Sequence, residues 1–231
     1  MRWLRLSKPS IPVAMNRGLQ EAQGEIVLFL DDDIIPDRQL LTAHIQAQQQ
    51  GDLVAGQVLQ PGEKSEPLQP GEPLRFNNSN PCKVNEFIGC NFSVKRNLAM
   101  ALGGFDQNFI GAAYRYEAEF AHRYCQQYGL IIYEPRALIH HLRAERGGTR
   151  SYGHHLRTAQ PAHTFGAYYY LLKAKPPGWF PQLLWRPLRS IRTKHHLTHP
   201  WWIIPSLLAE MRGLAQALGK VRQGPNYPNF S

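Results

Sequence analysis

The chain's 231 residues can fill one good core with an appendage and leave little room for two full domains. A 43% hydrophobic content excludes wholesale disorder, and no apolar run approaches the length of a membrane-spanning helix. The net charge of +9 is unevenly held: residues 1–150 balance 16 Lys and Arg against 16 Asp and Glu, whereas residues 151–231 hold 10 cations and the single acid Glu210.

Only Trp3–Leu6 offers a strand ahead of the first helix. Ser10, Pro12 and Gly24 bracket that helix, which spans about three turns. Residues 25–30 form an apolar run that reads as a buried central strand, and it ends in Asp31-Asp32-Asp33. A helix over 38–49 stops at Gly51, and a strand follows over 52–58. Five prolines between 60 and 82 predict an irregular loop. A strand at 88–94 precedes a short helix at 98–102, closed by Gly103-Gly104. A helix over 117–128 ends at Gly129, and strands follow at 130–133 and 137–141. Alternating helices and strands predict an α/β fold: a mostly parallel sheet with helices on both faces. Cys82, Cys90 and Cys125 lack zinc-ligand spacing and read as free thiols of a reduced compartment. No apolar segment of a signal peptide follows Arg2 and Arg5, which points to the cytoplasm.

Three adjacent carboxylates cannot share a dry interior. They suit either a solvated turn, helped by Pro36, or a cation site at the carboxyl edge of the sheet.

The ordered set Asn16-Arg17-Gly18-Leu19, Gly24-Glu25-Ile26-Val27, Leu30-Asp31-Asp32-Asp33, Phe87-Ile88-Gly89-Cys90-Asn91-Phe92-Ser93, Lys95-Arg96 and Gly103-Gly104-Phe105-Asp106 resembles the family 2 glycosyltransferases with the GT-A (Rossmann-like) fold. Glu117-Ala118-Glu119, Arg123, Gly129, Pro135 and His141 continue the resemblance, which covers about residues 10–150. It implies transfer of a sugar from a nucleoside-diphosphate donor to a hydroxyl acceptor with inversion, dependent on Mn²⁺ or Mg²⁺. The aspartates would be the DXD motif. Asp33 and His141 would ligate the metal, with Asp31, Asp32, Asn16 and Arg17 on the donor side. Asn91 would touch acceptor or phosphate, and Glu117 would be the base, with Glu119 as the alternative. Other readings of these residues exist: a paired strand-end His141, a first-turn Glu117 favourable to the helix dipole, and an Asn91 amide bonding the backbone. Tyr116 stands where the family usually has a first acid, and Met15 where many relatives carry arginine. The family's first strand and nucleobase loop are not found here, so the resemblance implies a core (1–150) incomplete at its N-terminus. A catalytically inactive remnant that binds a glycan or a partner is the alternative function.

Residues 151–231 predict a basic, aromatic-rich helical extension. Cations interleaved with Tyr168–Tyr170, Trp179, Trp185, Trp201 and Trp202 suit either helices packed on the core with solvated cations or peripheral contact with the inner membrane face, near saccharide or lipid-linked acceptors in polysaccharide or glycolipid synthesis. A nucleic-acid partner is not expected, because no recognition motif accompanies the charge.

Overall fold

A computed structural model describes residues 2–69, 71–144 and 152–230; the expected boundary at 150/151 lies outside them. The chain divides into two compact units. A sheet unit comprises Gly18–Gly104, Phe120–Glu145 and Phe230–Ser231, and a helical unit comprises Met1–Arg17, Phe105–Glu119 and Arg146–Asn229.

The elements run α1 (Ile11–Glu21), β1 (Ile26–Leu30), β2 (Ile34–Pro36), α2 (Leu40–Ala47), β3 (Leu53–Leu59), β4 (Cys82–Val84), β5 (Asn91–Lys95), α3 (Arg96–Ala101), α4 (Tyr116–Tyr128) and β6 (Ile131–His141). Then come α5 (Thr164–Ala174), α6 (Trp179–Ile191), α7 (Lys194–Thr198) and α8 (Ile203–Gln223).

The sheet order is β1-β5-β3-β6-β2, with β4 also pairing β6. The expectation of a mostly parallel sheet fails: among the described strands only β3 and β6 pair in parallel. The chain travels from β3 to β5 through a long loop, with no crossover helix to reverse it, so β5 returns antiparallel. The run 25–30 is not a buried central strand either. It forms β1 at one edge of the described sheet, and its residues are half-buried or exposed. The central strand is β3, buried at all seven positions. Trp3–Leu6 forms no strand.

Helices do cover both faces. Successive residues of β5 point to opposite sides. Ser93 meets His44 of α2 and Gln48 at its C-terminal cap on one side. On the other, Phe92 stacks on Phe29 and packs against Phe87, which meets Phe120 of α4 edge-on. Leu40 and Ala43 of α2 join Val58, Cys90, Ala137 and Ile139 in the first face's core. Arg96 donates to the carbonyls of Leu19 and Gln20 at 2.8 and 3.3 Å, satisfying acceptors left over at the end of α1.

The two short strands expected at 130–133 and 137–141 are one strand, β6, with a break inside it. Pairing with β3 runs to Gly56–Glu134 and resumes at Gln57–Leu138. Pro135 lies in the skipped stretch and has no N–H to give the ladder. Glu134 and Arg136 close over the break through two bonds of 2.9 Å.

The break is filled by the amide of Asn91, which donates to the carbonyls of Gln57 (3.0 Å) and Ala137 (2.7 Å). Gly56 makes room for it: a Cβ there would lie 2.2 Å from Asn91 Nδ2 and 2.4 Å from the Ala137 carbonyl. Neither neighbour can yield without losing a buried hydrogen bond, so Gly56→Ala should destabilise the fold by about 3 kcal/mol or more. Denaturant unfolding measures this; a variant within about 0.5 kcal/mol of the parent would mean the amide is not locked in place.

Candidate active site

The three aspartates occupy the turn between β1 and β2, and β2 pairs antiparallel with the end of β6, Ile34 opposite His141. Register alone therefore sets Asp33 beside His141. His141 Nε2 lies 3.2 Å from an Asp33 carboxylate oxygen and 3.6 Å from one of Asp31. One ligand atom from each residue falls within 4.8 Å of the others, the only such trio of His, Cys or acid groups among the described residues. Asp32 points no donor into the trio and is exposed.

Backbone and a neighbouring amide orient the trio. Asp33 accepts from the Ala144 N–H through Oδ2 (2.8 Å), and its carbonyl accepts from the Leu142 N–H (2.8 Å). Arg143 between them holds a left-handed φ of 55°, a conformation costly outside glycine. His141 Nδ1 lies 3.2 Å from Gln60 Oε1. An amide oxygen only accepts, so Nδ1 donates to it and Nε2 is the ring atom that faces the two carboxylates. A proton on Nε2, or a cation in its place, offsets the repulsion between the two carboxylates. Burial pushes the Asp31 carboxyl above its ordinary range, with Asp33 and Asp32 adding to the shift and His141 opposing it. Two carboxylates and an imidazole, with Nε2 aimed at both, fit a divalent cation.

Gln60 had no signal in the sequence. It sits at the end of β3, beside a loop rich in proline and glycine, and only tertiary register brings it to His141.

Asn91 is elsewhere. It is 0% exposed, and its amide fills the break between β3 and β6, leaving no donor for acceptor or phosphate. Its oxygen accepts from His44 Nε2 at 3.0 Å. Ser93 then donates to His44 Nδ1 at 2.9 Å, and the Gln48 amide donates to Ser93 at 2.9 Å. Burial holds the His44 pKa below its ordinary value, outweighing the Asn91 bond and the charge of Glu134.

The helical unit holds the remaining candidates. Asn16 is 2% exposed; its amide donates to the Phe105 carbonyl (2.7 Å) and accepts the Phe105 N–H (2.8 Å). Arg17 is exposed. Glu117 and Glu119 both fall in the first turn of α4, with different surroundings. Glu117 is half-buried. Glu119 is 1% exposed and pairs with Lys173 at 2.8 Å. Lys173 also donates to Asp106 at 2.6 Å and to the Tyr227 hydroxyl at 3.0 Å. Burial would raise the Asp106 carboxyl, but the Lys173 bond and charge, with bonds from Asn108 and Tyr169, bring it below the ordinary range. Ahead of α4, Ala113 and Arg115 hold left-handed φ values of 51° and 73°. Gly166 of α5 presses on this loop: a Cβ there would lie 2.0 Å from the Tyr114 carbonyl oxygen.

Residues 5–103 match the family model described as Glycosyl transferase family 2. A solved structure of GalNAc-T7 with UDP, GalNAc and Mn²⁺ matches at 12% identity and a TM-score of 0.57, covering 95% of this chain and 45% of that one. The mannosyltransferase PcManGT from Pyrobaculum calidifontis, in complex with GDP-Man and Mn²⁺, matches at 22% identity and a TM-score of 0.48, covering 94% and 59%. The fold is that of the GT-A glycosyltransferases. The chain spans less than two thirds of either structure's own length. No curated protein shows significant similarity to it.

His44 supplies a pH test. Its folded pKa lies below the unfolded value of about 6.5, so its contribution to stability is complete above that pH and is lost as the pH falls through the window beneath it. Melting temperature should drop on acidification below about pH 6.5, and His44→Gln should flatten part of that drop. Parallel curves for parent and variant would mean that His44 is not held neutral.

Proposed function

We propose that this chain is a metal-dependent glycosyltransferase that moves a sugar from a nucleoside-diphosphate donor to a hydroxyl of a saccharide or lipid-linked acceptor, with inversion, in polysaccharide or glycolipid synthesis near a membrane. The observation that carries the reading is the convergence of Asp31 and Asp33, inside the segment that matches the family 2 model, with His141 beyond it. GalNAc-T7 carries UDP and Mn²⁺ in its structure, which agrees with this donor set.

In this reading Asp31, Asp33 and His141 hold the cation, and Asp31–Asp33 are the DXD motif. A bound Mn²⁺ or Mg²⁺ would stabilise the charge that develops on the departing diphosphate. Gln60 holds the His141 ring so that Nε2 faces the cation, and the Ala144 N–H fixes the Asp33 carboxylate. Asp32 and Arg17, both exposed, are assigned to the donor and not to the metal.

The base that takes the acceptor hydroxyl's proton is assigned to Glu117. Glu119 is tied to Lys173 in a buried pair, so its carboxylate is closed to an incoming hydroxyl. Glu117 lies one turn-edge away in the same helix, half-buried, in the position favoured for an anion by the helix N-terminus.

Two measurements test the assignment. Mn²⁺ with a nucleoside diphosphate should raise the melting temperature. Asp33→Asn should abolish that shift, and Gln60→Leu should weaken the apparent Mn²⁺ affinity about tenfold or more. A full shift in Asp33→Asn removes the trio from the metal. Glu117→Gln should keep the shift and lose about 10²–10⁴-fold in transfer rate; retained turnover moves the base elsewhere.

A further inference from the structure

Helix α6 buries none of its residues. Phe180, Leu184 and Leu188 recur every fourth position with Trp185 alongside, and they are 49–62% exposed. Helix α8 has a buried stripe and, on the opposite side, an exposed apolar one. Its buried stripe, Ser206, Ala209, Glu210, Gly213 and Ala217, is small enough for close approach: a Cβ on Gly213 would lie 2.3 Å from Thr164 Oγ1 of α5. The opposite stripe, Ile204, Leu208, Met211 and Leu218, is exposed, Ile204 and Met211 by 69% and 68%. Leu197 and Trp201, just before α8, are 82% and 63% exposed. A single exposed leucine is ordinary, but two helices that each carry a regular outward apolar stripe are not.

Charge identifies the occupant. Arg189, Arg192, Lys194, Arg212 and Arg222 are all exposed. The one acid in this stretch, Glu210, is 3% exposed, 3.1 Å from Arg186 and accepting from the Tyr168 hydroxyl at 2.6 Å. The outer surface of α6–α8 therefore offers cations and apolar groups and no exposed carboxylate among the described residues. A second copy of the same surface would set cation against cation. Nucleic acid would engage the cations and leave the leucine, isoleucine and methionine stripes in water. A bilayer of anionic lipid satisfies both features at once, with tryptophans at the headgroup level and aliphatic side chains just below.

We propose that the outward faces of α6 and α8, with the arginines beside them, form a peripheral docking surface for anionic lipid bilayers. This deepens the membrane placement of the proposed function by naming the surface and the lipid charge it requires.

The test is co-sedimentation of the full chain with vesicles of phosphatidylcholine and phosphatidylglycerol in equal parts, against vesicles of phosphatidylcholine alone. The parent should sediment with the anionic vesicles, with a blue shift of tryptophan fluorescence, and should stay in solution with the neutral ones. Leu184→Ser with Trp185→Ser should remove the binding; both side chains are exposed, so the melting temperature should hold. Arg189→Gln and Arg192→Gln should each weaken binding about fivefold. Three outcomes overturn the proposal: no sedimentation with anionic vesicles, equal sedimentation with both kinds, or a dimer in solution that Leu184→Ser dissociates, which gives the face to a second copy. Vesicle binding needs neither donor nor metal. Asp33→Asn should leave it intact, so a failed transferase reading and a failed docking surface are told apart by running the Mn²⁺ melting shift on the same variants.

Discussion

The break in the β3–β6 ladder fixes where the candidate metal ligands stand. Had the parallel register continued past Gly56–Glu134, the residues leaving the two strands would be different ones. Instead β6 skips ahead at Pro135, resumes at Leu138 and ends with His140 opposite Leu59. The next residues, Gln60 and His141, become neighbours and share a hydrogen bond. On the other side of β6, the same residue count brings Ile34 opposite His141 and hence Asp33 against its ring. The break leaves two carbonyls that would each cost about 1–3 kcal/mol if buried without a donor. Asn91 satisfies both. Its own oxygen is answered by His44, so the repair runs as one neutral chain from Gln48 through Ser93 and His44 into the sheet. A charged His44 would have no acceptor at Ser93 better than water outside, which is why burial wins and the ring stays neutral.

How far the fold could be read in advance follows from the range of the forces involved. Helices α1, α2 and α4 have local signals: Pro12 in a first turn, Gly51 and Gly129 beyond last turns, and apolar spacing between. They were legible to within a few residues. Strands β2 and β4 have three residues each, too few to carry a period, and Pro36 within β2 argues locally against a strand. The direction in which strands pair is not written in any one of them, which is how an antiparallel β5 went unforeseen. The edge position of β1 has the same cause, since apolar content alone cannot tell a central strand from an edge strand half covered by helices.

The site was legible unevenly, and for a chemical reason. Acidic residues at a strand end are conspicuous because few structural roles need them, so Asp31 and Asp33 stood out, and the order of motifs pointed to His141. Amides are ambiguous. Asn16 and Asn91 lie inside motif segments, yet each has its side chain spent on backbone, the first on Phe105 and the second on Gln57 and Ala137. Gln60 lies outside every motif and touches the site. An amide can copy a peptide group's hydrogen bonding as readily as it can meet a ligand, and nothing in a one-dimensional pattern separates the two.

The helical unit sorts its charges by burial, and that sorting gives the net charge of +9 a place. Lys173 is taken up by Asp106 and Glu119, from the segment 105–119, and Arg186 by Glu210. In each case the acid is at most 3% exposed in its side chain, and the cation reaches inward to it. Buried carboxylates without such partners would lose far more in desolvation than they could regain, so these three acids are committed inside. The remaining cations of α6–α8 have no acid left to neutralise them from within this stretch, and they stand on the outside beside the exposed apolar stripes. An excess of positive charge that looks diffuse in the sequence is thus concentrated by the fold onto the surface least able to tolerate water.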